Sequence, residues 1–234
     1  MAETKILIGQ GTEIYIRLLE NGVFTEPAEG IDNVTFTITE PAIAAATSLT
    51  VGGAISGAVL PAGAWYGAEH PTTGEITPFQ TSARVASGTT VAINSLIKAI
   101  ADNSTFTTLQ RFVGRQAASI DRQANIVNLV TFDTGGDQIG RATTRSGSIS
   151  FDGVYSQLDP AYLTCEYAFK NGRYVWFYIK LPPEDVTYTT GKVYKGVGII
   201  ENMPIGIDAE STFEGNVSMQ LYGALQEEQP VAAA

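Results

Sequence analysis

The stretch "SGSISFDGVYSQLDPAYLTCEYAFKNGRYVWFYIKLP" (Ser146–Pro182) changes its hydrophobic period twice. At its start, Ile149 and Phe151 alternate with Ser148, Ser150 and Asp152, which is the pattern of a strand with one buried face. In the middle, Leu158, Tyr162, Cys165 and Phe169 recur every three or four residues. Asp159 stands where a helix N-cap accepts backbone N–H groups, Pro160 suits the first turn, and Asn171-Gly172 supplies a stop. One helix is therefore predicted over about 157–171. "RYVWFYIKLP" then reads as a strand too apolar to expose both faces. A helix set between two strands covers one open side of a sheet.

Outward from this unit the chain is β. "TEIYIRLL" (Thr12–Leu19) sets Ile14, Ile16 and Leu18 against Glu13, Tyr15 and Arg17. "NVTFTITE" (Asn33–Glu40) sets Val34, Phe36 and Ile38 against three threonines. "ANIVNLVTF" (Ala124–Phe132) is a strand, and "DTGGDQIGRATTR" (Asp133–Arg145) reads as a long Gly/Thr-rich loop. "GIDAESTFEGNVSMQLYG" (Gly206–Gly223) alternates as one long strand, apolar at Ile207, Ala209, Phe213, Val217, Met219 and Leu221 and polar between them. Its polar side carries Asp208, Glu210 and Glu214, and no Lys or Arg follows Lys195. The tail "QEEQPVAAA" has no period and is expected to fray.

Composition shifts at Pro41. From there to Ser104 the chain is rich in Ala, Gly, Ser and Thr, with three acids (Glu69, Glu75, Asp102) and two bases (Arg84, Lys98). "ATSLTV" (Ala46–Val51) is echoed by "GTTVAI" (Gly88–Ile93), and "SLIKAI" (Ser95–Ile100) has room for a helical turn or two. The fold class is thus mainly β, a β-sandwich with one flanking helix. Residues 1–40 and 105–234 form the main domain, and 41–104 are an inserted β-rich module.

The 234 residues can bury a sizeable core, and a net charge of −10 argues against wrapping nucleic acid directly, since phosphate binding depends on Lys and Arg. Enzyme signatures are sparse. His70, the only histidine, lies in the turn-like "AEHPTTG" without local partners for catalysis or a metal. The single cysteine, Cys165, falls in the predicted helix and reads as core packing. "GQGTEI" (Gly9–Ile14) lacks the third glycine and following helix of a dinucleotide loop, and "DTGGDQIG" lacks the spacing of a calcium loop. Neither a catalytic residue, a metal site nor a cofactor is assigned.

Four stretches, in order, carry a resemblance to the major tail tube proteins of tailed bacteriophages: "GQGTEIYI", the Ser146–Pro182 unit, "YKGVGIIENMPIGIDAES" and "TFEGNVSMQLYG". They cover about half the chain, and 41–104 reads as an insertion relative to shorter members. The resemblance implies hexameric rings that stack into a tube, whose inner wall is a β-barrel built by neighbouring subunits and through which DNA passes. It implies as partners further copies of the chain, the tail terminator, the tail tip or baseplate proteins and the tape measure protein. The protein would then reside in the virion tail after assembly in the bacterial host cytoplasm. On this reading Asp208, Glu210 and Glu214 line the lumen, where a cation would trap phosphates. Asp133, Asp137, Arg141 and Arg145 contact the adjacent ring, and the insertion lies outside the tube, where it cannot block DNA. The tube of a contractile tail or related injection machine fits the same residues. A different class, an adhesive virion module binding glycans, would call for an exposed aromatic platform at Trp65-Tyr66.

Overall fold

The Ser146–Pro182 unit folds as its two periods require. The computed structural model describes residues 4–7, 12–27, 34–55, 58–113, 115–130, 138–153, 158–183, 188–206 and 214–231. Its first strands are β1 (Thr4–Leu7), β2 (Glu13–Leu18), β3 (Thr35–Thr37), β4 (Ser48–Thr50), β5 (Trp65–Glu69), β6 (Ile76–Gln80), β7 (Thr90–Ala92) and β8 (Thr105–Thr107). Then come β9 (Gln110–Arg111), β10 (Arg115–Val130), β11 (Gln138–Gly153) and the helix α1 (Pro160–Asn171). The chain ends with β12 (Tyr174–Lys180), β13 (Val193–Asn202), β14 (Ile205–Gly206), β15 (Glu214–Gly215) and β16 (Val217–Glu228).

Local signals set the helix. Asp159 accepts from the Ala161 N–H at 2.9 Å, Pro160 opens the first turn, and Gly172 closes the last one at φ 58°. The Arg173 N–H then reaches back to the Ala168 carbonyl at 2.9 Å. Ala161, Tyr162, Thr164, Cys165 and Ala168 form the buried stripe, whereas Leu158 precedes the helix and Phe169 is half exposed. Position in the turn, not hydrophobicity, decides which of these residues reaches the core.

An eight-stranded antiparallel sheet carries the helix, in the order β1-β10-β11-β16-β13-β12-β2-β9. Its core face presents Ile14, Ile16, Phe177, Ile149, Phe151 and Met219, all buried, and α1 packs across β2, β12 and β13. The other face of β12 is apolar as well. Trp176 and Tyr178 are buried there in a second cluster with Leu19, Leu109, Val193 and Val197. This accounts for the doubly apolar "YVWFY".

Strands β3 to β8 build a smaller two-layer unit. One layer is a four-stranded sheet in the order β3-β8-β5-β6, and the other is the pair β4-β7, formed by the two echoing segments. "SLIKAI" contributes no helix; Leu96 and Ile100 are its buried anchors. Phe36, Tyr66, Phe79 and Phe106 stack in the centre, with the Phe79 and Phe106 rings edge to face at 5.1 Å. Strand β3, read in the sequence with the first 40 residues, pairs here with β8 (Thr35↔Thr107). The smaller unit also shares one continuous hydrophobic cluster with the large sheet. Its seam to α1 is hydrogen bonded: the Trp65 N–H donates to Thr164 Oγ1 at 3.3 Å, and Thr164 Oγ1 donates to the Trp65 carbonyl at 3.3 Å.

Three sequence expectations change. The Asp133–Arg145 stretch is not all loop, because β11 begins at Gln138 and pairs with β10 from Val130↔Gln138 onward. The Gly206–Gly223 stretch is not one strand: β14 and β15 are antiparallel partners (Gly206↔Glu214), so Gly206 lies beside Glu214 instead of eight residues along the same strand. The tail does not fray at Gln226. β16 runs to Glu228, and Val231 is held by the Thr189 N–H at 2.8 Å and by Thr190 Oγ1 at 3.1 Å.

Candidate functional site

Opposite the core, strands β10, β11 and β16 present a different surface. Strand periodicity puts Ser119, Asp121 and Gln123 on this side of β10, with Ser146, Ser148, Ser150 and Asp152 on β11 and Ser218 and Gln220 on β16. Register aligns them in rows: Ser119, Ser150 and Ser218 side by side, then Asp121, Ser148 and Gln220. The intervening residues Ala118, Ile120, Ile149, Phe151, Val217 and Met219 are buried. Ser119 and Ser150 share a hydrogen bond at 2.7 Å, Gln123 Nε2 donates to Asp121 Oδ2 at 2.8 Å, and Gln220 Nε2 donates to the Gly147 carbonyl at 3.0 Å.

This face is uncharged apart from Asp121 and Asp152. Among the described residues, Lys5 of β1 stands opposite Ser119, and Arg115 of β10 pairs with Gly153, next to Asp152 at the end of the face. Such a surface offers hydroxyls, amides and two carboxylates to water, and the nine side chains named give a polyanion no cation to grip. The serines have no histidine near them in sequence or register; His70 lies in the smaller unit, where its Nδ1 accepts from the Thr72 and Thr73 N–H groups at 3.2 and 3.3 Å and closes a turn. Among the described residues, no cluster of His, Cys, Asp and Glu could hold a metal ion. No helix there is long and apolar enough to cross a membrane.

Beyond this face, β10 and β11 continue as an arm. β1 pairs with β10 only as far as Ile120, and β16 pairs with β11 only as far as Ser148. From Arg122↔Gly147 to Val130↔Gln138 the two strands pair only with each other among the described residues, with a bulge at Asn125/Ile126. Nine paired positions at about 3.3 Å each make a ribbon about 30 Å long. These strands carry Arg122, Arg141 and Arg145 with no carboxylate, and Ile126, Val127, Leu129, Val130 and Ile139. Arg122 ties the root of the arm to Glu227 of β16, which also binds Lys192 at 2.7 Å. The Lys192 hydrogen bond, reinforced by Arg122, holds the Glu227 carboxyl below the usual carboxylate range.

The residues singled out in the sequence are distributed as follows. Asp133, Asp137, Asp208 and Glu210 lie outside the described residues. Glu214 sits in β15, and Arg141 and Arg145 are strand residues of the arm. Tyr66, half of the proposed aromatic platform, is buried against Phe79 and Phe106. Sequence reasoning noticed Ser148, Ser150 and Asp152 but not the matching Ser119, Asp121 and Gln123. Their signal was available in "ASIDRQ" (Ala118–Gln123), where Ala118 and Ile120 alternate with the polar set.

Several solved structures are similar to part of this chain. The tail of an empty gene transfer agent (GTA) particle, from helical refinement with C6 symmetry, is 21% identical over 51% of this chain and 85% of that one, with a TM-score of 0.42. The virion of a native GTA particle contains a chain 20% identical over 54% of this chain and 89% of that one, at a TM-score of 0.41. The crystal structure of an Hcp protein is 14% identical over 49% and 78%, at 0.26. No curated protein matches. The model of the phage tail tube protein family matches residues 94–227, more than half of the chain, including the polar face and the arm. This chain therefore belongs to the phage tail tube protein family.

Proposed function

We propose that the chain is the repeating subunit of a tube: copies close into hexameric rings, rings stack, and DNA passes from capsid to host through the channel. The observation that carries this reading is the polar face of β10, β11 and β16, which turns serines, glutamines and two carboxylates outward from an otherwise apolar sheet. A channel wall needs strands that are apolar toward the subunit and polar toward the lumen. It must also leave phosphates free to move. Asp121 and Asp152 join Asp208, Glu210 and Glu214 as the acidic groups proposed for the lumen. The arm supports assembly, since native proteins rarely leave long strand edges without a partner; Asp133, Asp137, Arg141 and Arg145 are its proposed contacts between rings.

The inserted unit belongs on the exterior in this reading. Its seam with Thr164 lies on α1, across the core from the polar face. Partners beyond the chain itself are the tape measure protein, the tail terminator and the tip or baseplate proteins, met during assembly in the host cytoplasm. A surrounding sheath would leave this surface chemistry unchanged, so a contractile machine fits equally. Electron microscopy of the concentrated protein tests the proposal: rings or tubes with an open axis are expected, and particles that remain monomeric at every concentration refute it.

A further inference from the structure

The sheet has unlike ends. At one end stands the arm, with three arginines, no carboxylate and five aliphatic residues on two strands whose outer edges pair with no other strand among the described residues. At the other end β9 covers only Tyr15 and Ile16 of β2, and a cleft of about 310 Å³ opens between β2, β9 and β5. Ile76 and Val113 line this cleft and are 43% and 55% exposed. Asp159 holds that neighbourhood together by accepting from the Val113 N–H at 3.2 Å. The charged groups at the cleft are Glu69 and the Glu13–Arg111 pair (3.8 Å), so one carboxylate is in excess.

We infer that this cleft receives the β10–β11 arm of a second copy of the chain, a contact that deepens the tube reading and rests on it. Charge and apolarity match: a cationic aliphatic ribbon meets an acid-rimmed aliphatic cleft, in a protein whose net charge of −10 makes cation-rich elements scarce. Six strand spacings separate β10 from β9 in the sheet order, about 29 Å, so the two features serve different molecules. A contact between unlike surfaces is head-to-tail and repeats from copy to copy, closing a ring or extending a stack. DNA is the rival occupant for a cationic arm; the aliphatic residues and open backbone edges favour protein.

Full-length Thr143→Cys and Val113→Cys proteins, mixed and treated with a short bismaleimide, test the contact, since the native Cys165 is buried. Assembled mixtures are expected to give a dimer containing one copy of each variant. Tubes that assemble without this cross-link overturn the arm-to-cleft contact and leave the tube reading standing; absence of any association overturns both. Glu69→Arg should raise the concentration at which particles appear by up to about five-fold, and adding Arg141→Glu should restore it. Arg141→Glu alone abolishing retention of duplex DNA on filters, with assembly unaltered, assigns the arm to DNA and refutes the inference.

Discussion

Gly63→Ala is expected to loosen the seam between the smaller unit and α1. Gly63 has φ +86°, and a Cβ there would overlap the ring of Tyr167 on α1. The backbone cannot easily retreat: the Gly63 N–H donates to the Thr81 carbonyl at 2.8 Å, and the Gly63 carbonyl accepts from Gln80 Nε2 at 2.9 Å. An L-residue in the left-handed region costs about 1–2 kcal/mol. Displacing a packed ring costs about 1–3 kcal/mol more. The sum, about 2–5 kcal/mol, corresponds to a loss of about 4–20 °C in Tm for a chain of this size. Thermal unfolding of the wild type, Gly63→Ala, Tyr167→Ala and the double variant separates the two contributions. In the Tyr167→Ala background, Gly63→Ala should retain only the backbone cost, about 1–2 kcal/mol. An effect within about 0.5 kcal/mol in the wild type, or an equal cost in both backgrounds, would refute a seam built on this contact and make the smaller unit a loosely tethered appendage.

Asp159→Ala should lower stability by about 1 kcal/mol or more, because it frees the N–H groups of both Ala161 and Val113; chemical denaturation measures this, and no change would discount the cap. Glu227 has a depressed carboxyl pKa, so its ties to Lys192 and Arg122 contribute stability above the unfolded value of about 4.3 and lose it as pH falls through the folded value. Hydrogen exchange at the root of the arm should accelerate in that acid range, and Glu227→Gln should remove the pH step. Ser148→Lys with Ser150→Lys should leave the buried Ile149 and Phe151 in place, so tails should form. DNA ejection should slow at low salt and recover at higher salt, as screening shortens from about 10 Å at 0.1 M; unchanged ejection would remove this face from the channel.

The helix was legible in sequence because its determinants are local: Asp159, Pro160 and Gly172 act within a turn of their own positions. Of the strands flanking it, the Ser148–Asp152 part of β11 was legible from alternation and β12 from its unbroken apolar run. Of the arm only the β10 half was, in "ANIVNLVTF"; Gly140 and the threonines of β11 read as loop until Val130 and Gln138 are seen to pair. The alternation of Gly206–Gly223 misled for a related reason: period two assigns faces only along an unbroken strand, and the Gly206↔Glu214 pairing breaks this one. The pairing of β3 was illegible because its partner β8 comes some seventy residues later (Thr35↔Thr107), beyond the reach of any local signal. The polar face was half legible: Ser148, Ser150 and Asp152 stand out, but only the register shows that Ser119, Asp121, Ser218 and Gln220 complete it.

Which surface lines the axis is the central question, and a cryo-electron microscopy map of particles assembled from the purified chain answers it most directly. The account predicts stacked rings with Ser119, Ser150 and Ser218 facing the channel and the 41–104 unit outermost. A map that turns α1 or the 41–104 unit toward the axis, with the serine rows buried between subunits or facing outward, would contradict it.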